Sequence, residues 1–480
     1  MKQSIACAGL VLAVLFVPAF AADEGNAVMV ILDLLKVGKL DAAEERFAAA
    51  LKEFPDSVRV NALHLQLFEL NAEAEHWPQA AGHLAAYIDH QFSKMSDLPS
   101  AADDIPSLVT VLGRVLEREE TYKPTVGLFD RYLKRLQEQA AVKPEQEVTV
   151  AIAELTANKI AWLAGHEQAD AARALLEKEV AAAAAAFDKD RDDMGAILRL
   201  NAALRTQSQV ADELSPEKEK AHRERYLAFL TEQARAHPDE VALVGACLNG
   251  HLVEIQSLAP TDPDAAEKLV ETVKTFIADY KKPKPAVRRR FNIVKQNLEA
   301  LAPQIEIARA HLALVGKKGA IPEADAWLNG GPLTASDLEG KVVLLDFWAV
   351  WCGPCIATFP HLREWHEKFA GKGLVIVGVT NYYGYGWDSE NNRIKRERGL
   401  SKEMENAATE KFLEFHKLKH RIAVMDEDAK FDERYLVNGI PQAVLIDRQG
   451  KVRLIRIGAG SRIAKDLERM IERLIAEPAL

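Results

Sequence analysis

Apolar positions recur every three to four residues from about residue 26 to residue 315, in a stretch rich in Ala, Leu and Glu with almost no β-branched alternation. That period describes one face of a helix, so the stretch reads as stacked helices. The pattern is most regular over 38–50, where Ala43, Phe47 and Ala50 share one face at i, i+4 and i+7 and Pro55 closes the segment. Small residues there allow close helix approach and the large one interlocks. After Gly316 the pattern becomes short apolar runs between amphipathic helices. It predicts strands at 341–349, 374–380, 422–425, 443–447 and 452–457, and helices at 354–370, 402–418 and 463–475. Asp447-Arg448-Gln449-Gly450 is a turn that joins the last two strands as a hairpin. A β-α-β unit followed by β-β-α predicts an α/β sandwich with a mixed sheet over 316–480.

The face carrying Ala43, Phe47 and Ala50 resembles the second helix of a tetratricopeptide repeat. A weaker copy places Trp77, Ala80, Leu84 and Tyr87 in corresponding positions, with Tyr87 where that family prefers Ala. The step from Ala43 to Ala80 is 37 residues, against ~34 in the family. A third copy could lie at 165–176, but no register holds beyond about residue 95. A degenerate repeat array and an irregular Ala-rich bundle both remain open, and either could dock a protein partner. Pro260-Thr261-Asp262-Pro263 and the run 281–285 read as loops, and Arg288-Arg289-Arg290 as a solvated helix face.

The chain has 480 residues and a net charge of −10. No basic stripe interleaved with aromatics is present, so nucleic acid is excluded as a partner. Lys2, an apolar run over 5–17 and the exit Ala19-Phe20-Ala21 read as an export signal. That run is shorter than the ~20 residues that span a bilayer, and no later stretch reads as a span. The expected organisation is a signal peptide at 1–21, a helical domain at 22–315 and an α/β domain at 316–480. The expected location is the periplasm or cell envelope, where disulfide chemistry is possible.

Four cysteines are too few for a disulfide scaffold. Cys7 would leave with the signal, and Cys247, alone on an Ala/Leu face, reads as a small buried apolar residue. Cys352 and Cys355 form a C-x-x-C pair where a buried strand meets a helix. The unpaired N–H groups and positive partial charge of that helix start stabilise a thiolate at Cys352, the expected exposed attacker. Cys355, one turn further in, can close a disulfide on it and act as the resolving thiol. No second Cys or His pair follows at metal spacing, so no metal is expected, and no cofactor beyond the redox-active Cys352–Cys355 disulfide.

The run from Asp346 to Cys355, DFWAVWCGPC, closely resembles the thioredoxin active-site stretch. With Gly340-Lys341-Val342-Val343-Leu344-Leu345 before it and Phe359-Pro360 after it, it is similar to the TlpA/ResA branch of extracytoplasmic thiol-disulfide oxidoreductases. The segment 316–338 also resembles that branch's N-terminal extension and hairpin. The resemblance implies a thioredoxin fold over 316–480, with Asp346 as a buried carboxyl behind Cys355. It implies that Pro441 is a cis-proline that frees the Ile440 backbone to pair with a substrate strand. It implies a substrate-facing rim of Trp351, Gly353 and Pro354. The Gly353-Pro354 dipeptide matches thioredoxin, whose potential of about −270 mV marks a reductant.

The expected activity is therefore reduction of protein disulfides, with electrons from an upstream thiol donor that a membrane could hold. Two other functions stay open, a thiol peroxidase of the redoxin group and a helical interaction scaffold with an accessory redox domain. One segment departs from the family pattern. Asn381 to Trp387, NYYGYGW, is read as a loop that either recognises substrate through Tyr383 and Trp387 or packs on itself.

Overall fold

The computed structural model describes residues 22–118 and 127–478, so the expected signal peptide and Cys7 lie outside the described residues. The chain divides into two compact units, Met1–Cys247 and Leu248–Leu480. The first is helical throughout its described residues. Helices Ala22–Lys36, Leu40–Glu53, Val58–Glu73 and Trp77–Lys94 each pack on the next. Ala43, Phe47 and Ala50 are all buried, as their spacing requires. In the weaker copy Ala80 and Leu84 are buried, while Trp77 and Tyr87 are half-buried.

A polar chain pins these helices together. Asn71 Nδ2 donates to Glu44 Oε1 at 2.7 Å, and His83 Nε2 lies 2.9 Å from Glu44 Oε2. His83 Nε2 donates to that carboxylate, and the Nδ1 atoms of His64 and His83 lie 2.9 Å apart in a second hydrogen bond. Phe47 meets both imidazoles edge-on. Burial pushes His64 down to about 4, so it stays neutral at neutral pH.

A further helix spans Val241–Leu258. By length and composition alone it is apolar enough to cross a membrane, contrary to the expectation that no later stretch is. Its Leu243, Val244, Cys247, Leu248 and Ile255 are buried, while Val253 is exposed.

In the second unit, helices Pro263–Asp279 and Pro285–Leu314 pack together. They precede a six-stranded mixed sheet. The strands are β1 (Ala326–Leu328), β2 (Val342–Phe347), β3 (Leu374–Asn381), β6 (Arg421–Met425), β7 (Gln442–Ile446) and β8 (Val452–Ile457), in the order β1-β6-β3-β2-β7-β8. The central strands β2, β3 and β6 run parallel, and β1, β7 and β8 join antiparallel. The short edge strand β1 falls in the segment 316–338, for which the resemblance implies a hairpin, but its partner is β6. The Asp447 turn forms as expected, with the Asp447 carboxylate accepting from the backbone of Gln449 and Lys451 and Gly450 at φ +74°.

β2 is buried on both faces, and its alternation divides two cores. Val342 and Leu344 face helices Gly353–Phe369, Lys402–Phe415 and Ser461–Ala476 through Phe359, Phe412 and Ile471. Val343, Leu345 and Phe347 face the opposite side with Phe431 and Tyr435. Asp346 falls in the first set by parity, on the face under the helix that follows the Cys pair.

The segment after β3 is not a plain loop. β4 (Tyr385–Asp388) and β5 (Arg393–Arg396) pair antiparallel as a separate two-stranded ribbon. Asp388 closes its turn by accepting from the backbone of Glu390 and Asn391. The aromatics Tyr382, Tyr383, Tyr385 and Trp387 pack half-buried against the helix-side core.

Candidate active site

β2 ends at Phe347 and the chain passes through Trp348-Ala349-Val350-Trp351 into the helix Gly353–Phe369, whose N-cap is Cys352. Cys352 and Cys355 are joined as a disulfide. Cys352 Sγ accepts the Cys355 N–H at 3.2 Å, one of the donors a helix start leaves unpaired. The same donor would hold a thiolate there once the bond is reduced.

The exposure expected of Cys352 is not found. The residue is 4% exposed and Cys355 is fully buried. Trp351 stands over the pair at 47% exposed, and the Ile440 carbonyl lies 3.9 Å from Cys352 Sγ. Cys352 remains the outer sulfur, flanked by the exposed Gly353 and Pro354. The Ile440–Pro441 bond is cis.

Asp346 is buried, and its Oδ2 has no hydrogen-bond partner. Desolvation alone pushes its carboxyl up to about 7. It lines a cavity of about 270 Å³ together with Thr358, His361, Trp365, Pro441 and Ile463. A buried carboxyl that changes protonation near neutral pH, beside a cavity under the Cys-bearing helix, can accept or return a proton as the inner thiol reacts.

Trp348 is buried, stacked on Phe412 and edge-on to Phe359, which fixes the approach to the helix. Trp351 meets Tyr383 edge-on, with ring centroids 5.6 Å apart. Of the two expected loop residues, Tyr383 therefore reaches the rim, whereas Trp387 packs against Phe415 on the neighbouring helix. Sequence reasoning missed Gly378 and Glu405. A Cβ on Gly378 would lie 2.8 Å from Trp348 Nε1. Glu405 Oε1 accepts from the backbone of Tyr383, Gly384 and Tyr385. Cys247 is buried as expected, and burial pushes its thiol up to about 11. Among the described residues, no group of three or more His, Cys, Asp or Glu could hold a metal ion.

A Cys pair opening the helix between two parallel central strands, on a mixed sheet of this order, makes the C-terminal domain a thioredoxin-like one. The Redoxin family model matches residues 303–471. Thiol-disulfide oxidoreductase ResA of Bacillus anthracis is 30% identical over 125 residues, covering 26% of this chain and 60% of that protein. The ResA of Geobacillus kaustophilus (strain HTA426) is 30% identical over 145 residues, covering 30% of this chain and 70% of that one. A solved thiol-disulfide isomerase from Corynebacterium glutamicum is 20% identical, with 34% of this chain and 98% of that chain covered and a TM-score of 0.27. Through its C-terminal third the chain belongs to the ResA-like thiol-disulfide oxidoreductases of the thioredoxin superfamily. It spans about 60% of the length of the first curated relatives it matches.

Proposed function

We propose that the protein is an exported thiol-disulfide oxidoreductase that reduces protein disulfides. The observation that carries this reading is the closed Cys352–Cys355 pair at a helix N-terminus, on the sheet face that also holds the buried Asp346. A thiol donor first reduces the pair. The Cys352 thiolate then attacks one sulfur of the substrate disulfide, forming a mixed disulfide and releasing the other sulfur as a thiolate. Asp346, as carboxylate, takes the Cys355 proton. The Cys355 thiolate attacks Cys352 Sγ, re-forming the Cys352–Cys355 bond and expelling the second substrate sulfur. Two electrons pass to the substrate, and Asp346 returns its proton to solvent through the cavity.

The helical unit supplies surface for a protein partner, and a repeat-like array there suits docking. Residues 1–21 serve as the export signal, and a reporter enzyme active only outside the cytoplasm, fused after residue 22, is expected to be active.

The test of the activity is reduction of a model protein disulfide by the prereduced protein, which Cys352→Ser is expected to abolish. Cys355→Ser is expected to stall as a mixed disulfide through Cys352, retaining the substrate for identification. Activity that survives Cys352→Ser would overturn the reading. Peroxide consumption faster than disulfide exchange would favour the peroxidase reading instead.

A further inference from the structure

Glu405 lies in the first turn of the helix Lys402–Phe415 and is 7% exposed. Its Oε1 accepts three successive backbone N–H groups, from Tyr383 at 2.6 Å, Gly384 at 2.8 Å and Tyr385 at 3.3 Å. Consecutive N–H groups converging on one point make an anion-binding nest, here filled by the chain's own carboxylate. Gly384 reaches that geometry at φ +74°, and its carbonyl accepts the Glu397 N–H at 2.9 Å, which closes the base of the β4–β5 ribbon. The carboxylate therefore fixes the backbone at the point where Tyr383 leaves it.

Tyr383 spends that fixed position on one exposed neighbour. Its ring meets Trp351 at 84° with centroids 5.6 Å apart, an edge-to-face pair. Trp351 precedes Cys352 in the chain and remains 47% exposed, an aromatic surface that the fold leaves uncovered beside the disulfide. Burying a carboxylate is costly unless it is fully hydrogen-bonded. Here the bonds that offset the cost all come from the segment carrying Tyr383.

We propose that Glu405 is a positioning residue for protein substrates: it holds Tyr383 against Trp351, and the two rings form a ledge that receives an apolar side chain next to the substrate's reacting cysteine. The inference rests on the disulfide-exchange reading above and gives that reaction a substrate class, extended polypeptide with an apolar residue flanking the disulfide.

The test measures kcat and KM for a model protein disulfide with the full chain as wild type, Glu405→Ala, Glu405→Gln and Tyr383→Ala. Glu405→Ala and Tyr383→Ala are expected to raise KM about tenfold while kcat moves less than about twofold. Glu405→Gln keeps an oxygen acceptor and is expected to recover most of the KM. Tyr383→Ala leaves all three N–H groups in place, so it tests the ledge even where Glu405→Ala unfolds the ribbon. An unchanged KM in Tyr383→Ala overturns the proposal, as does a fall in kcat at constant KM in both alanine variants. A wild type that exchanges no disulfide overturns the underlying reading instead.

Discussion

Gly378 on β3 lies against the indole of Trp348: a Cβ on the glycine would stand 2.8 Å from Nε1 and 2.5 Å from Ile422 Cδ1. Both neighbours are buried, and Trp348 is held between Phe359 and Phe412. No side chain fits without displacing the tryptophan that leads into the Cys pair. Gly378→Ala is therefore expected to cost about 1–3 kcal/mol, the usual range for overpacking a filled core. Urea unfolding measures it, and a variant within roughly 0.5 kcal/mol of wild type would mean the indole moves aside freely.

Asp346 gives a pH dependence of definite sign. Its carboxyl is raised from 3.8 to about 7 in the folded chain. Between those values the native state binds a proton that the unfolded state has lost, so stability falls as pH rises from about 4 to 7 and stays low above. The shift corresponds to about 4 kcal/mol. Asp346→Asn removes the ionisation, so the variant is expected to match wild type near pH 4 and to be the more stable by about that amount at pH 8. The same variant is expected to slow release of the mixed disulfide at neutral pH, since nothing then accepts the Cys355 proton. Equal stabilities at pH 8 would refute the burial argument.

Much of this site follows from residue spacing. The run Val342–Phe347 is apolar except for Asp346, so the burial of β2 on both faces follows from the unbroken apolar run, and the face of Asp346 from alternation. The Cys pair at the strand–helix junction is local in sequence and equally legible. Glu405 is different, because its partners are backbone N–H groups from a segment about 20 residues earlier, and no side-chain pattern marks backbone donors. The β4–β5 ribbon was also hidden. Each strand has four residues, Gly386 leaves one face of β4 without a side chain between Tyr385 and Trp387, and Ile394 is the one apolar residue in β5. The burial of Cys352 depends on Ile440, which is brought beside it from the far end of the domain.

The three cysteines within the described residues differ in reach, which alkylation of the reduced protein can read. Cys352 caps a helix N-terminus, so its thiolate is stabilised. Cys355 is the fully buried inner member of the pair. Cys247 is buried in the helical unit, and its thiol is pushed up to about 11, chiefly by burial. A limiting amount of iodoacetamide at neutral pH is expected to label Cys352 first and to leave Cys247 unmodified until denaturant is added. Peptide mapping distinguishes the sites. Prompt labelling of native Cys247 would contradict its placement in the core.

His420 acts on stability in the opposite direction to Asp346. It is 3% exposed, and burial, helped by the nearby His366, lowers it from 6.5 to about 3. As pH falls below 6.5 the unfolded chain takes up a proton that the native chain refuses, so stability is lost with acidification. From pH 7 to pH 5 the loss is about 2 kcal/mol for this one group. His420→Gln cannot titrate, so its stability difference between pH 7 and pH 5 is expected to be smaller than that of wild type by about that amount, whatever the cost of the substitution itself. Asp346→Asn moves the same difference the other way, because it removes a group that gains on acidification. Urea midpoints for wild type and the two variants at both pH values separate the contributions. Wild type and His420→Gln losing equal stability on acidification would show that the imidazole is protonated inside the fold.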